Sequence, residues 1–146
     1  MDCEAFNNKR ILLERMLLDA TIKPTKLPLT LLQAITNNFS DDLNIGFGGF
    51  AIVYKGLLEN GTVAVKRLLK IEVDETKFTQ EIDSLMRVNH ENIVRFLGYC
   101  AVTEGEMWNY KGKNVLAEER QRLLCFEFLS KGSLDKYISA CSNVNC

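Results

Sequence analysis

Residues 45–66, IGFGGFAIVYKGLLENGTVAVK, limit what this chain can become more than any other stretch. Gly46 and Gly48 are one residue apart and Gly49 comes directly after, so a short turn is stripped of side chains and its backbone N–H groups can lie against a bulky anion. The residues beyond it decide the kind of turn. Ile52, Val53 and Tyr54 are strand formers, Asn60-Gly61 is a two-residue hairpin signal, and Val63-Ala64-Val65-Lys66 returns as a second strand. The glycine turn therefore joins strands. A dinucleotide-binding fingerprint needs its glycines to open a helix, and a Walker A loop needs Gly-Lys-Ser/Thr after its spacers; neither pattern is present.

With a lysine on the strand beyond the hairpin, the segment resembles the glycine-rich lid and N-terminal lobe of a plant receptor-like protein kinase. In that branch of the Ser/Thr kinase family IGxGGFGxVYKG is followed by VAVK. The resemblance implies an α+β fold: a five-stranded antiparallel sheet with one main helix, a helical lead-in before it and the start of the hinge-following helix after it. It also implies ATP as ligand. Ile45, Gly46, Phe47, Gly48, Gly49, Phe50 and Ala51 would cover the phosphates, and Lys66 would contact the α- and β-phosphates. Ala51 stands where the family has glycine, a cost of about 1 kcal/mol if the backbone there needs positive φ.

A helix is expected from Asp74 as N-cap, with Glu75 in its first turn and Phe78, Ile82, Leu85 and Met86 as its core stripe. Glu81 flanks that stripe. By composition alone it would be one more solvent-facing acid, but F-x-x-E-I resembles the family's third helical element, whose glutamate holds the strand lysine. Asp83 is the nearest rival, two positions off that face. His90 to Cys100 resembles the family's HxNIVxLLGYC, a turn into the fourth strand. His90 is the one imidazole, and at such a turn it reads as satisfying backbone groups rather than performing catalysis.

Residues 122–129, RLLCFEFL, are apolar enough for a buried strand and resemble LLVYEYM. The resemblance makes Phe126 the gatekeeper behind an adenine, Glu127 to Leu129 the hinge offering backbone groups to the purine edge, and Ser133 a neighbour of the ribose. Val53, Ala64 and Phe126 would supply the apolar faces that a purine needs. A plain core strand fits the same letters.

The remaining segments are organised around this lobe. Residues 9–20, KRILLERMLLDA, read as an amphipathic helix of about three turns that docks or frays. It is either a partner or membrane contact or a juxtamembrane-like remnant. Pro24 and Pro28 break the chain, which divides it into a tail over 1–23, a helical lead-in over 24–40, the lobe over 41–140 and a tail over 141–146. Leu31, Leu32, Ile35 and Phe39 share the face of the lead-in helix, Asn37-Asn38 suit its exit, and Ser40 to Asp42 form a turn. Glu104 to Gln121 is a polar insert, expected to be an exposed loop. Its Trp108, Tyr110, Lys111 and Lys113 either stack on a partner or close a mini-hairpin across Tyr110 to Lys113.

Composition excludes more than it assigns. Net charge −1 with 25% charged residues points to neither nucleic acid nor an anionic membrane. Five cysteines without a CxxC pair, beside one histidine, read as reduced thiols of a cytoplasmic chain. No apolar run is long enough to span a membrane, Asp2 excludes N-myristoylation, and Cys3 is an isolated candidate for acylation. At 146 residues the chain falls short of the roughly 250 to 280 that two kinase lobes require. It contains no H-R-D and no D-F-G, so the family's base and magnesium ligands are missing and no catalytic residue or metal ligand is assigned. This leaves two expectations. Either the chain is part of an active receptor-like kinase and inactive alone, or it is a non-catalytic remnant acting on a partner kinase or receptor complex. Half a kinase should also expose an apolar patch.

Overall fold

The computed structural model describes residues 3–48, 51–69, 75–87 and 94–128. Its elements in chain order are α1 (Cys3–Leu18), β1 (Thr25–Lys26), α2 (Leu29–Ile35), a 3-10 turn (Asp41–Leu43), β2 (Asn44–Gly48), β3 (Ala51–Leu58), β4 (Gly61–Leu68), α3 (Glu75–Arg87), β5 (Phe96–Tyr110) and β6 (Lys113–Glu127). Six strands make one sheet in the order β1-β5-β6-β4-β3-β2. Five of them form the expected antiparallel sheet, and the sixth is an addition. β1 lies between the two prolines and runs parallel to β5, pairing Thr25 with Gly98 and Lys26 with Tyr99. The approach is close enough to demand glycine: a Cβ on Gly98 would lie 2.4 Å from the Thr25 carbonyl oxygen and 2.8 Å from Leu27 Cδ1.

Alternation along the strands gives the sheet two apolar faces, each with its own core. One face packs Val63, Val65, Leu97, Leu123 and Cys125 against Leu13 and Met16 of α1 and Leu31, Leu32 and Ile35 of α2. The helix expected over residues 9–20 thus begins earlier and docks, with Leu13 and Met16 fully buried. Docking is what stabilises a helix of this length. Its C-terminal end is held by Arg95, whose guanidinium donates to the carbonyls of Met16, Asp19 and Ile22. A cation there also suits the helix dipole. The lead-in helix ends as expected, in a left-handed turn: Asn37, Asn38 and Phe39 have φ of 50°, 56° and 54°. Thr36 Oγ1 accepts from the Phe39 N–H at 3.0 Å, and the turned-back Phe39 ring stacks near Tyr54, centroids 5.4 Å apart.

Three sequence expectations need correction. The β3–β4 hairpin closes with Leu58 opposite Gly61, so its two-residue turn is Glu59-Asn60 rather than Asn60-Gly61. Neither turn residue adopts positive φ; instead α1 captures the turn, Glu14 accepting from the Glu59 N–H through Oε2 and from Asn60 Nδ2 through its carbonyl. Met86 is 42% exposed and lies outside the core stripe of α3, which consists of Phe78, Ile82 and Leu85. The polar insert is not a loop. β5 and β6 continue through it in unbroken register from Ala101–Arg122 to Tyr110–Lys113, and only Lys111-Gly112 turn, with φ of 51° and 81°. The mini-hairpin expected across Tyr110 to Lys113 is the tip of this long ribbon. Asp74 and His90 lie outside the described residues.

Candidate nucleotide site

The second face of the sheet carries the site. Val53, Ala64, Phe96, Leu124 and Phe126 pack with Phe78 and Leu85 of α3, and the Phe96 and Phe126 rings sit 5.6 Å apart, tilted by 58°. Register explains the grouping: Ala64 is paired with Phe126, and Lys66 stands opposite Val53 on one side and Leu124 on the other. Lys66 therefore projects from an antiparallel sheet among apolar neighbours and is 1% exposed.

α3 supplies the opposing charge. Glu81 lies between Phe78 and Leu85 at helical spacing, which turns it to the buried side, and it is 2% exposed. Its Oε1 is the one buried side-chain oxygen or nitrogen among the described residues with no hydrogen-bond partner. Burial pushes the Lys66 ammonium down to about 8, against the pull of the Glu81 carboxylate. Burial likewise pushes the Glu81 carboxyl up to about 7, against the pull of Lys66. In both groups desolvation outweighs mutual attraction. Asp83 points elsewhere, exposed and paired with Arg87 at 3.0 Å.

A residue that the sequence gave little reason to single out fixes the start of α3. Arg122 is 6% exposed and bonds Glu75 at 2.7 Å, while also donating to the carbonyls of Val102 and Gln121 at 2.8 and 2.9 Å. A cation inside the apolar run RLLCFEFL was the available signal.

The glycine turn borders this cluster. Ile45 packs against it, Gly46 and Gly48 are half-buried, and Phe47 is 75% exposed at the turn's outer side. Gly46 has φ of 153° at a bulge in the β2–β3 pairing, a conformation that side chains disfavour, and its N–H is held by Asn44 Oδ1 at 2.7 Å. Ala51 avoids the feared strain. It begins β3 as ordinary strand, opposite Gly48 and Leu68, so the family's glycine is not required there. At the other end of the site, Glu127 exchanges bonds with Arg95: its N–H donates to the Arg95 carbonyl and its Oε1 accepts from the Arg95 N–H, both at 2.9 Å. Its N–H is thus already engaged. Gly49, Phe50, Leu129 and Ser133 lie outside the described residues.

A lysine on the antiparallel sheet, a glutamate on the helix that covers that face among the described residues and a first antiparallel strand carrying Gly46 and Gly48 are the arrangement of a kinase N-terminal lobe. The protein kinase domain family matches residues 39–145. This chain belongs to the plant receptor-like protein kinases. Cysteine-rich receptor-like protein kinase 7 of Arabidopsis thaliana is 38% identical over 120 residues, covering 81% of this chain and 16% of the relative. Receptor-like serine/threonine-protein kinase SD1-7 of the same plant is 39% identical over 128 residues, covering 82% and 13%. Cysteine-rich receptor-like protein kinase 44 is 36% identical over 125 residues, covering 82% and 29%. The chain thus spans under a third of the length of these relatives. No described helix of this kinase chain is long and apolar enough to cross a membrane.

Proposed function

We propose that this chain binds ATP between the glycine turn and the floor made by Val53, Ala64 and Phe126, as the nucleotide-holding lobe of a receptor-like kinase that phosphorylates protein Ser/Thr. One observation carries the reading: Lys66 and Glu81 are both sequestered from water, and Glu81 keeps an oxygen without a hydrogen bond. An arrangement that costs stability needs a reason. A triphosphate supplies it, because its negative charge would draw the Lys66 ammonium onto the α- and β-phosphates while Glu81 steadies that ammonium from the helix side.

Phosphoryl transfer is largely positioning and charge neutralisation, and these residues serve the positioning half. They orient the nucleotide, and Phe126 with its neighbours excludes water from the purine. The other half does not fit this chain. The 146 residues contain neither H-R-D nor D-F-G, the family's base and magnesium motifs. A general base is typically worth about 10²- to 10⁴-fold and a metal several kcal/mol, so these 146 residues by themselves transfer no phosphate at a useful rate.

Thermal shift with ATP in the presence of a chelator tests the binding. The midpoint should rise with ATP concentration as a saturable site requires, and Lys66→Met, folded by circular dichroism, should lose the rise. A folded wild-type chain whose midpoint stays fixed up to millimolar ATP would sink the reading. Radiolabelled ATP with a generic protein substrate should give no incorporation.

A further inference from the structure

Beyond Thr103 and Arg120 the β5–β6 ribbon leaves the body of the sheet, and every residue from Thr103 to Arg120 is exposed. Residues directly opposite one another in an antiparallel pair share a face, so one face reads Glu104 and Glu119, then Glu106 and Ala117, then Trp108 and Val115, then Tyr110 and Lys113. Lys111 joins that face, its Nζ lying 5.3 Å from the Tyr110 ring centroid. Acids therefore occupy the base of the face, bases occupy its tip, and apolar side chains lie between. Trp108 is 58% exposed, Tyr110 63% and Val115 46%. A groove of about 600 Å³ lies at the acidic half, lined by Glu104, Glu106, Trp108, Ala117 and Glu119 of this face together with the neighbouring Gly105–Glu118 pair.

We propose that this ribbon face docks on the same face of a second copy of the chain, the two ribbons antiparallel about a two-fold axis at the level of Met107 and Leu116. Charge reverses along the face, and that reversal selects the partner. A uniformly acidic or basic partner would match one end and repel the other, whereas a copy turned end for end places Lys111 and Lys113 on Glu104, Glu106 and Glu119 twice over. Shape agrees with charge. The same rotation sets Trp108 above the partner's Glu106 and Ala117, and Ala117 is the one small side chain on the face, opening room for an indole in the groove. Levels 104 and 110 are about 20 Å apart, so the contact is small and the dimer weak, below the roughly 1,200 Å² of stable complexes. Phe126 and Glu127 lie at the far end of β6, so the pairing leaves the nucleotide site open.

Sedimentation equilibrium of the whole chain between about 1 and 300 μM, at low and high salt, tests this. The average mass should climb from monomer toward dimer with concentration, less so at high salt. Trp108 is the only tryptophan, so its emission should shift to the blue over the same range as its indole leaves water. Lys111→Glu/Lys113→Glu and Glu104→Lys/Glu106→Lys should each be monomeric, since each sets like charges against each other. Their equimolar mixture should dimerise again, because each variant then meets its complement. A wild-type chain that stays monomeric with unshifted emission overturns the proposal. So does a dimer that both variants retain, or a folded mixture that stays monomeric.

Discussion

Arg122 Nη2 lies 2.7 Å from Glu75 Oε1, and its Nε reaches the same oxygen at 3.0 Å. One guanidinium on β6 thereby pins the first turn of α3 to the sheet. Glu81 comes six residues later, about 9 Å along the helix axis, so the pin sets how deep its carboxylate sits. Glu75 is half exposed, which keeps the ion pair itself modest. The bonds to the Val102 and Gln121 carbonyls, made by a nearly buried group, add to its worth.

Replacing Arg122 with Met should lower stability by about 1.5 to 3 kcal/mol, the range for hydrogen bonds to a charged group. Hydrogen exchange in α3 should rise more than in β3 or β4, and the ATP-dependent thermal shift should shrink. Unchanged protection in α3 would show that the helix is held by Phe78 and Leu85 alone.

Acid and base should act on Glu81 and Lys66 in opposite senses. Glu81 titrates higher in the folded chain than its ordinary 4.5, so the fold holds more protons than the unfolded chain, and stability falls as pH rises from there to about 7. Lys66 titrates lower than its ordinary 10.5, so the unfolded chain holds more protons, and stability rises with pH from about 8 to 10.5. Their joint cost is greatest between about pH 7 and 8, where both are charged. In urea titrations at half-unit pH steps Glu81→Gln should lose the acid limb, and its basic limb should begin at lower pH than in wild type, because Lys66 no longer has the Glu81 charge to hold its titration up. Parallel curves across the acid limb would mean that Glu81 does not carry it.

Converting the pair to hydrocarbon should favour the fold over the function. Lys66→Met with Glu81→Leu removes two desolvated charges together, a change that in buried pairs is often neutral or stabilising by about 1 to 4 kcal/mol. The double variant should melt no lower than wild type at pH 7.5 and show no response to ATP. A melting point well below wild type would mean that Lys66 and Glu81 contribute to the apo fold itself.

Gly98→Ala should dislodge β1, because the added methyl would meet the Thr25 carbonyl and the Leu27 side chain. The expected loss is about 1 to 3 kcal/mol, as for other overpacked sites. The Leu27 N–H, which bonds the Tyr99 carbonyl at 2.7 Å, should lose protection first in hydrogen exchange. Retained protection there would show that β1 and β5 can part by the width of a methyl group at little cost.

Much of the lobe was legible because its letters obey local rules. Val63 to Lys66 alternates between the two faces and Phe78, Glu81 and Leu85 fall on one side of a helix, so the strand, the helix and the charged pair emerge from periodicity joined to the family pattern. Distance in sequence hid the rest. Thr25-Lys26 has no strand signature of its own and becomes one only by lying against Gly98. Asn60-Gly61 looked like the turn, but α1 takes hold of Glu59 and Asn60 and the hairpin closes one residue earlier. The ribbon was hidden by its polarity: residues 104–121 read as loop because none of them up to Arg120 is buried, yet the paired strands at its base simply continue outward. Arg122 and Arg95 gave nothing away beyond an unexpected charge, since their partners stand 47 and 79 residues distant.

Arg95 touches two neighbourhoods at once. Its guanidinium gathers a carbonyl in the last turn of α1 and two just beyond that helix, and its backbone is laced to Glu127 at the end of β6. Under the nucleotide reading proposed above, one residue therefore anchors both the C-terminal end of α1 and the strand end beside the purine's floor, so the two share a single fixed point.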